Sequence, residues 1–231
     1  RLSLPTYICV QSLMAKTLID VALFPIPGMV AFPGTTVPLH VFEPRYRQMV
    51  TDAVEHDRMI AVCHTKKEIR SAKDGQTMQD ALNNNQATYQ PFEVFSAGTC
   101  EIIDTTADGR VYIHISMSKR LQLVREVQTI PYRIVACSEL EDESELVSDD
   151  ELMAYQKLIT DSVVELIGKH DPAKLSEFNS DQWLALTPTE FSFKIFQLVR
   201  FDADTMQSIL EATSNLERLQ MVNSLIHPGT T

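Results

Sequence analysis

The spacing of apolar residues along this 231-residue chain changes at an acidic run, Glu139 to Glu151. Before the run, apolar residues alternate with polar ones or form short blocks. After it, they recur at every third or fourth position. Alternation is typical of strands, and the longer period is typical of helices. The sequence therefore predicts an α+β protein with a β-rich region followed by a helical one.

The first region reads as strands separated by turns, with one helix among them. Pro44 suits the first position of that helix, since its missing N–H needs no partner there, and the helix should end near His56. Asp108-Gly109 predicts a hairpin turn, and the polar stretch 65–90 predicts a long loop. The predicted strands are 17–24, 36–41, 59–64, 94–105, 110–116, 121–127 and 132–137.

Helix starts in the second region are marked by capping pairs, in which a side chain accepts a hydrogen bond from a free backbone N–H. They are Ser148 with Glu151, Thr187 with Glu190, Ser214 with Glu217, and Asp202 as a further cap. These starts predict a bundle of four or five helices. The expected domains are 14–138 (β-rich), 139–147 (acidic linker) and 148–228 (helical bundle), with 1–13 as a non-native extension.

The formal net charge of −11 arises mostly from the acidic run, which carries eight acidic residues. An acidic chain repels phosphate backbones, so we expect no nucleic-acid partner. No apolar run is long enough for a membrane span, so we expect a cytoplasmic protein with no membrane association. The four cysteines are widely spaced, which favours buried free thiols in a reducing compartment.

Motifs for catalysis or cofactor binding are missing from the sequence. The sequence contains neither a glycine-rich phosphate-binding loop nor the zinc-binding motif HExxH, and its six histidines lack metal-ligand spacing. We therefore expect no metal, no cofactor and no catalytic residue. The acidic run lacks the spacing of a calcium loop and reads as a solvated segment. Cys63 and Ser192 are poor nucleophile candidates, because each lies in an apolar strand or helix stripe.

One segment is more specific than these patterns. The residues LFPIPGMVAFPG (23–34), followed by VPLHVFEPRY (37–46), closely resemble the opening of the Lon protease amino-terminal domain family. Later stretches around Gly98 and Arg120 also resemble that family, and the likeness covers roughly residues 18–227. One departure is Met117, where the family usually has a glycine, and it leaves the local backbone geometry there open.

The resemblance implies a PUA-like β-rich pseudo-barrel followed by a helical bundle. It also implies a non-catalytic, free-standing recognition module, since the ATPase and protease domains of Lon have no counterpart in the sequence. Such a module would bind unfolded or partner polypeptides, possess no cofactor, act as an adaptor in proteolysis and be able to form a homo-oligomer. Two alternatives stay open: a small hydrolase with an unrecognised site and a PUA-like RNA-binding module.

Candidate binding residues lie between two turns of the family motif. Met29, Val30, Phe32 and Pro33 follow one proline–glycine turn and lead into the next. If exposed, their apolar side chains would form a patch of the kind that binds unfolded segments. Methionine suits such a surface because its side chain is flexible and polarisable. We therefore expect these four residues to contact the polypeptide.

Overall fold

The computed structural model describes residues 17–70, 88–144, 146–171, 173 and 178–227. The strands within these ranges are β1 (Ile19–Pro25), β2 (Thr36–Val41), β3 (Ile60–Cys63), β4 (Thr65–Arg70), β5 (Thr88–Pro91), β6 (Val94–Thr105), β7 (Val111–Gln128) and β8 (Ile134–Glu139). In the same ranges the α-helices are α1 (Pro44–Glu55), α2 (Asp149–His170), α3 (Ser180–Leu184), α4 (Pro188–Lys194), α5 (Ala203–Glu211) and α6 (Asn215–Ile226), and a 3-10 helix spans Ile195–Gln197.

The main sheet closes on itself through its longest strand. Its order is β2-β7-β6-β3-β1-β8, and a further pairing between β7 and β8 completes a ring with β2 at its flank. The strands pair antiparallel, except for β1 with β3, which are parallel. The 18-residue β7 replaces the two predicted strands 110–116 and 121–127, which are continuous here. Its length lets it pair with β2 and β6 at one end and with β8 at the other.

A bulge interrupts β7 at the position where the resemblance leads one to expect a glycine. Gly98 pairs with Met117, whereas Ala97 pairs with Lys119, so β7 carries one extra residue. The Met117 N–H donates to the Thr35 carbonyl (2.9 Å), and the Met117 side chain is buried. The close approach falls on Gly98 instead, where an added Cβ would lie 1.9 Å from the Ser116 carbonyl oxygen. Met117 is therefore compatible with the fold.

The predicted loop over 65–90 is wrong at both ends. Residues 65–70 and 88–91 form β4 and β5, which pair antiparallel as a separate two-stranded sheet. The charged sequence of β4, TKKEIR, lacks the apolar alternation that would have predicted a strand. The middle of the predicted loop, 71–87, lies outside the described residues.

The predicted helix starts are confirmed by their caps. The side chain of Thr187 accepts from the Glu190 N–H while Glu190 returns a bond to Thr187, which completes the capping box of α4. Single side-chain caps begin α2, α5 and α6, from Ser148, Asp202 and Ser214 respectively. None of the described helices is long and apolar enough to cross a membrane.

The apolar core of the helical region extends into the β-rich region. Phe32 and Val94 are buried among helical residues such as Phe191, Ile195 and Met206. The interior of the sheet holds separate apolar clusters, one of which packs against α1. The two regions therefore share buried apolar surface, and residues 26–35, between β1 and β2, lie at their junction.

Candidate functional site

The segment between β1 and β2 is held by two glycine-containing turns. Met29 N–H donates to the Ile26 carbonyl (3.2 Å), and Gly28 has a φ of 74°, a conformation that only glycine adopts freely. At the second turn the Thr35 hydroxyl donates to the Phe32 carbonyl (2.7 Å). These contacts fix the backbone on both sides of residues 29–33, where the sequence predicted binding residues.

His64 ties the first turn to both regions of the molecule. Its Nδ1 accepts a hydrogen bond from the Gly28 N–H (3.0 Å), and its Nε2 lies 3.3 Å from Asp204 Oδ1 at the start of α5. Because Nδ1 accepts this hydrogen bond, the neutral ring carries its hydrogen on Nε2, and Nε2–H donates a hydrogen bond to the Asp204 carboxylate. The imidazole also stacks on Phe92. In the sequence His64 is the last residue of the predicted strand 59–64, and no pattern there indicated these distant partners.

A cleft of about 380 Å³ opens where the two regions meet, and we call it the junction cleft. Its apolar lining includes Met29, Val30, Phe32, Val37, Phe196 and Met206. Met29 and Val30 are half-buried, so part of each side chain faces solvent. Three of the four predicted binding residues thus line a single cleft.

Phe32 is not part of an exposed patch, so that expectation is wrong for this residue. Its side chain is 1% exposed, and its ring stacks on Phe196 with centroids 3.9 Å apart. The ring therefore forms the floor of the junction cleft and belongs to the core of the helical region. Pro33 is half-buried and lines a neighbouring cleft of about 580 Å³.

That neighbouring cleft has a buried ionic cluster at its base. Asp142 accepts from Arg120 Nη2 (2.6 Å) and from Arg218 Nη1 (2.6 Å), and Arg218 is fully buried. Burial, and next the charge of Arg218, lower the pKa of Arg120 below its usual value. Both guanidinium groups lie near the ring of Phe193. The cluster joins β7, the acidic run and α6.

One expectation about charged residues changes as a result. The acidic run was expected to be solvated, yet Asp142 is largely withdrawn from water between two arginines. At the start of α1, Glu43 forms an ion pair with Arg45 at 2.9 Å. Local sequence could not reveal the Asp142 contacts, since Arg218 lies 76 residues further along the chain.

The serines that could act as nucleophiles form hydrogen bonds that are explained by packing and helix structure. Ser192 is buried, donates to the Thr189 carbonyl (2.8 Å) and accepts from Arg218 Nε (3.1 Å). Ser162 Oγ lies 2.9 Å from His227 Nε2, a pair that the sequence did not suggest, but this hydroxyl also donates to the Leu158 carbonyl (2.8 Å). Among the described residues no cluster of three or more His, Cys, Asp or Glu side chains could hold a metal ion.

We expect the described cysteines to react slowly with iodoacetamide in the native protein. Burial raises the pKa of Cys100 to about 11, that of Cys137 to about 12 and that of Cys63 further still. The thiolate is the reactive form, so at about pH 8 a shift of two pKa units leaves about 100-fold less of it than in the unfolded chain. Site-resolved mass spectrometry of native and urea-unfolded protein measures this ratio. Equal rates at Cys63 would indicate an accessible thiol, as the hydrolase alternative requires.

Comparison with known proteins places this chain in a family of protease substrate-binding domains. The matching family model is described as the ATP-dependent protease La (LON) substrate-binding domain and covers residues 20–227, so the chain belongs to this family. Lon protease 1 of Herpetosiphon aurantiacus is 21% identical over 210 residues, which are 90% of this chain and 24% of that protease. The chain therefore spans about a quarter of the length of this relative.

Two solved structures share the fold. The N-terminal domain of the Mycobacterium avium complex Lon protease has a TM-score of 0.63 at 12% identity, covering 91% of this chain and 99% of that one. The Lon N-terminal domain protein from Xanthomonas campestris has a TM-score of 0.55 at 21% identity, covering 88% of this chain and 96% of that one. These likenesses confirm the expected α+β architecture, and the family match confirms the resemblance to the Lon amino-terminal domain.

Proposed function

We propose that this protein binds unfolded or partner polypeptides in the junction cleft and delivers them for proteolysis as a non-catalytic adaptor. Membership of a substrate-binding family supports a recognition role. A net charge of −11 favours a polypeptide over a nucleic acid as the partner. Buried free thiols at Cys63 and Cys137 suit the reducing cytoplasm.

The observation that carries the proposal is the composition of the junction cleft. It combines a rigid aromatic floor, the Phe32–Phe196 stack, with half-buried Met29 and Val30 at its side. A rigid apolar floor gives a side chain a surface to pack on, and the flexible thioether of Met29 adapts to side chains of different shape. This is the behaviour needed to bind many unfolded sequences weakly.

We expect Met29→Gln to weaken the binding of an unfolded polypeptide by roughly tenfold, since it removes apolar contact area but keeps the length of the side chain. Fluorescence anisotropy with labelled, reduced and carboxymethylated lactalbumin measures the affinity. The matched control is Met153→Gln on α2, because Met153 is 54% exposed and lies outside the cleft.

The control variant should bind like the wild type, and both variants should be fully folded under the conditions of the binding assay. If the wild type shows no binding at high micromolar concentration, the proposed function is wrong. If the wild type binds and Met29→Gln binds equally well, polypeptides use a different surface and the junction cleft is excluded.

A further inference from the structure

The strand β2 has an open edge in the main sheet. It pairs with β7 along one side, and no other described strand pairs with it. Thr36, Val37 and Pro38 line the junction cleft, and Thr36 and Pro38 are exposed. The open edge is therefore accessible at the place where we propose that a polypeptide binds.

The hydrogen bonds between β2 and β7 determine which backbone groups of β2 point outward. In an antiparallel pair, every second residue directs its N–H and C=O groups to the neighbouring strand. The Met117 N–H donates to the Thr35 carbonyl (2.9 Å), so Thr35 faces β7. The register from Thr36 onward has no shift, so Val37 faces β7 as well. Thr36 and Pro38 therefore direct their backbone groups away from β7.

The position of Pro38 agrees with this assignment. Proline has no N–H to donate, and within sheets it is found where that group would face away from the neighbouring strand. The open edge beside the junction cleft thus presents the N–H and C=O of Thr36 and the C=O of Pro38. None of these groups has a hydrogen-bond partner among the described residues.

These three groups match the main chain of an extended polypeptide. A residue opposite Thr36 exchanges both N–H···O bonds with it, and the residue two positions away donates to the Pro38 carbonyl. The bonds use main-chain atoms alone, so they form with many different sequences, while apolar side chains gain contact with Met29 and Val30 in the same cleft. Addition of a strand to an exposed sheet edge is a recurring mode of peptide recognition.

A second copy of β2 fits this edge less well than a polypeptide does. A proline on an edge strand weakens pairing between edges, because one donor of the row is missing. Two paired copies of β2 would each lack the N–H of Pro38, whereas a polypeptide offers an unbroken row of N–H groups. Pro38 therefore disfavours self-association and leaves the carbonyl acceptors of the edge open.

We propose that a polypeptide in the junction cleft adds to β2 as an extended strand, with its main chain paired to Thr36 and Pro38. The proposal rests on the proposed function, because the added strand is the polypeptide substrate. It defines the substrate class as unfolded segments that can extend beside an apolar cleft. Segments that are helical or rich in proline should bind poorly, since their N–H groups are bonded or missing.

Hydrogen exchange measured by NMR tests the pairing, with and without unfolded lactalbumin. The Thr36 amide has no acceptor in the free protein and should exchange roughly tenfold more slowly in the complex, whereas the Val37 amide, bonded to β7, should be slow in both. Thr36→Pro removes the outward N–H at the first residue of β2, where proline is tolerated, and should bind about fivefold more weakly. The matched control Thr36→Val keeps the N–H and should bind like the wild type.

The outcomes separate strand addition from the proposed function. If lactalbumin does not bind the wild type, both fail. If it binds and Met29→Gln weakens it, but Thr36 exchange is unchanged or Thr36→Pro binds normally, the proposed function stands and strand addition is overturned. Slow exchange of Thr36 in the free protein that depends on its concentration would place a second copy at the edge and also overturn the proposal. Should Thr36→Pro not fold, the exchange data on the wild type decide.

Discussion

Asp142→Ala is expected to lower the free energy of unfolding by about 3–5 kcal/mol. The substitution removes the carboxylate that both Arg120 and Arg218 contact, and leaves two guanidinium groups buried near each other without a counter-charge. Desolvated like charges are costly, so the native state loses more than the attraction of one ion pair. Since the cluster joins β7 to α6, the loss should affect both regions together.

Urea denaturation measures this loss, followed by far-ultraviolet circular dichroism for the whole chain and by the fluorescence of Trp183 for the helical region. Glu141→Ala is the matched control, because Glu141 is the preceding acid and is exposed. We expect a change below about 0.5 kcal/mol for the control. If the two variants lose the same amount, the arginines regain water or new partners and the cluster does not stabilise the junction.

Local sequence patterns correctly predicted the strands and helices that are determined by residues close together in the chain. β2 and β6 were placed at their observed ends, 36–41 and 94–105, and α1 begins at Pro44 as the proline indicated. The caps of the later helices depend on side chains three residues apart, which any reader of the sequence can see. The strand β4 was missed because its exposed charged residues carry no apolar alternation.

The candidate site was predicted less completely, because the residues that form it come from segments that are far apart in the sequence. Met29 and Val30 do line a cleft, as apolar residues between two turns suggested, but the other wall comes from Phe196 and Met206 in the helical region. The contacts of His64 with Gly28 and Asp204 span 36 and 140 residues. No periodicity or spacing rule reports such pairings, since they arise from packing of the two regions.

The acidic run shows how the same composition can have two roles. Asp149, Asp150 and Glu151 occupy the first turn of α2, where the helix dipole stabilises negative charge. Asp142 belongs to the same run and forms the centre of a buried cluster. The number of charges in the run does not show which acid is buried, because burial depends on which arginines the fold places next to each acid.

Phe32→Ala is expected to lower the free energy of unfolding by about 3–5 kcal/mol, the cost of emptying a buried aromatic site. The ring of Phe32 is packed against Phe196 and Phe193 in the core that the two regions share. Phe32→Leu, which keeps most of the apolar volume, should lose less than half as much.

The same variants distinguish a structural role of Phe32 from direct contact with a polypeptide. Urea denaturation gives the stability of each, and anisotropy with unfolded lactalbumin gives its affinity at a temperature where the variant is folded. If Phe32 is the floor of the junction cleft, Phe32→Leu should bind almost normally, whereas Met29→Gln binds weakly and remains stable. If Phe32→Ala is as stable as the wild type but has lost binding, Phe32 contacts the polypeptide directly. That outcome would contradict a buried structural role and support the exposed apolar patch that the sequence suggested.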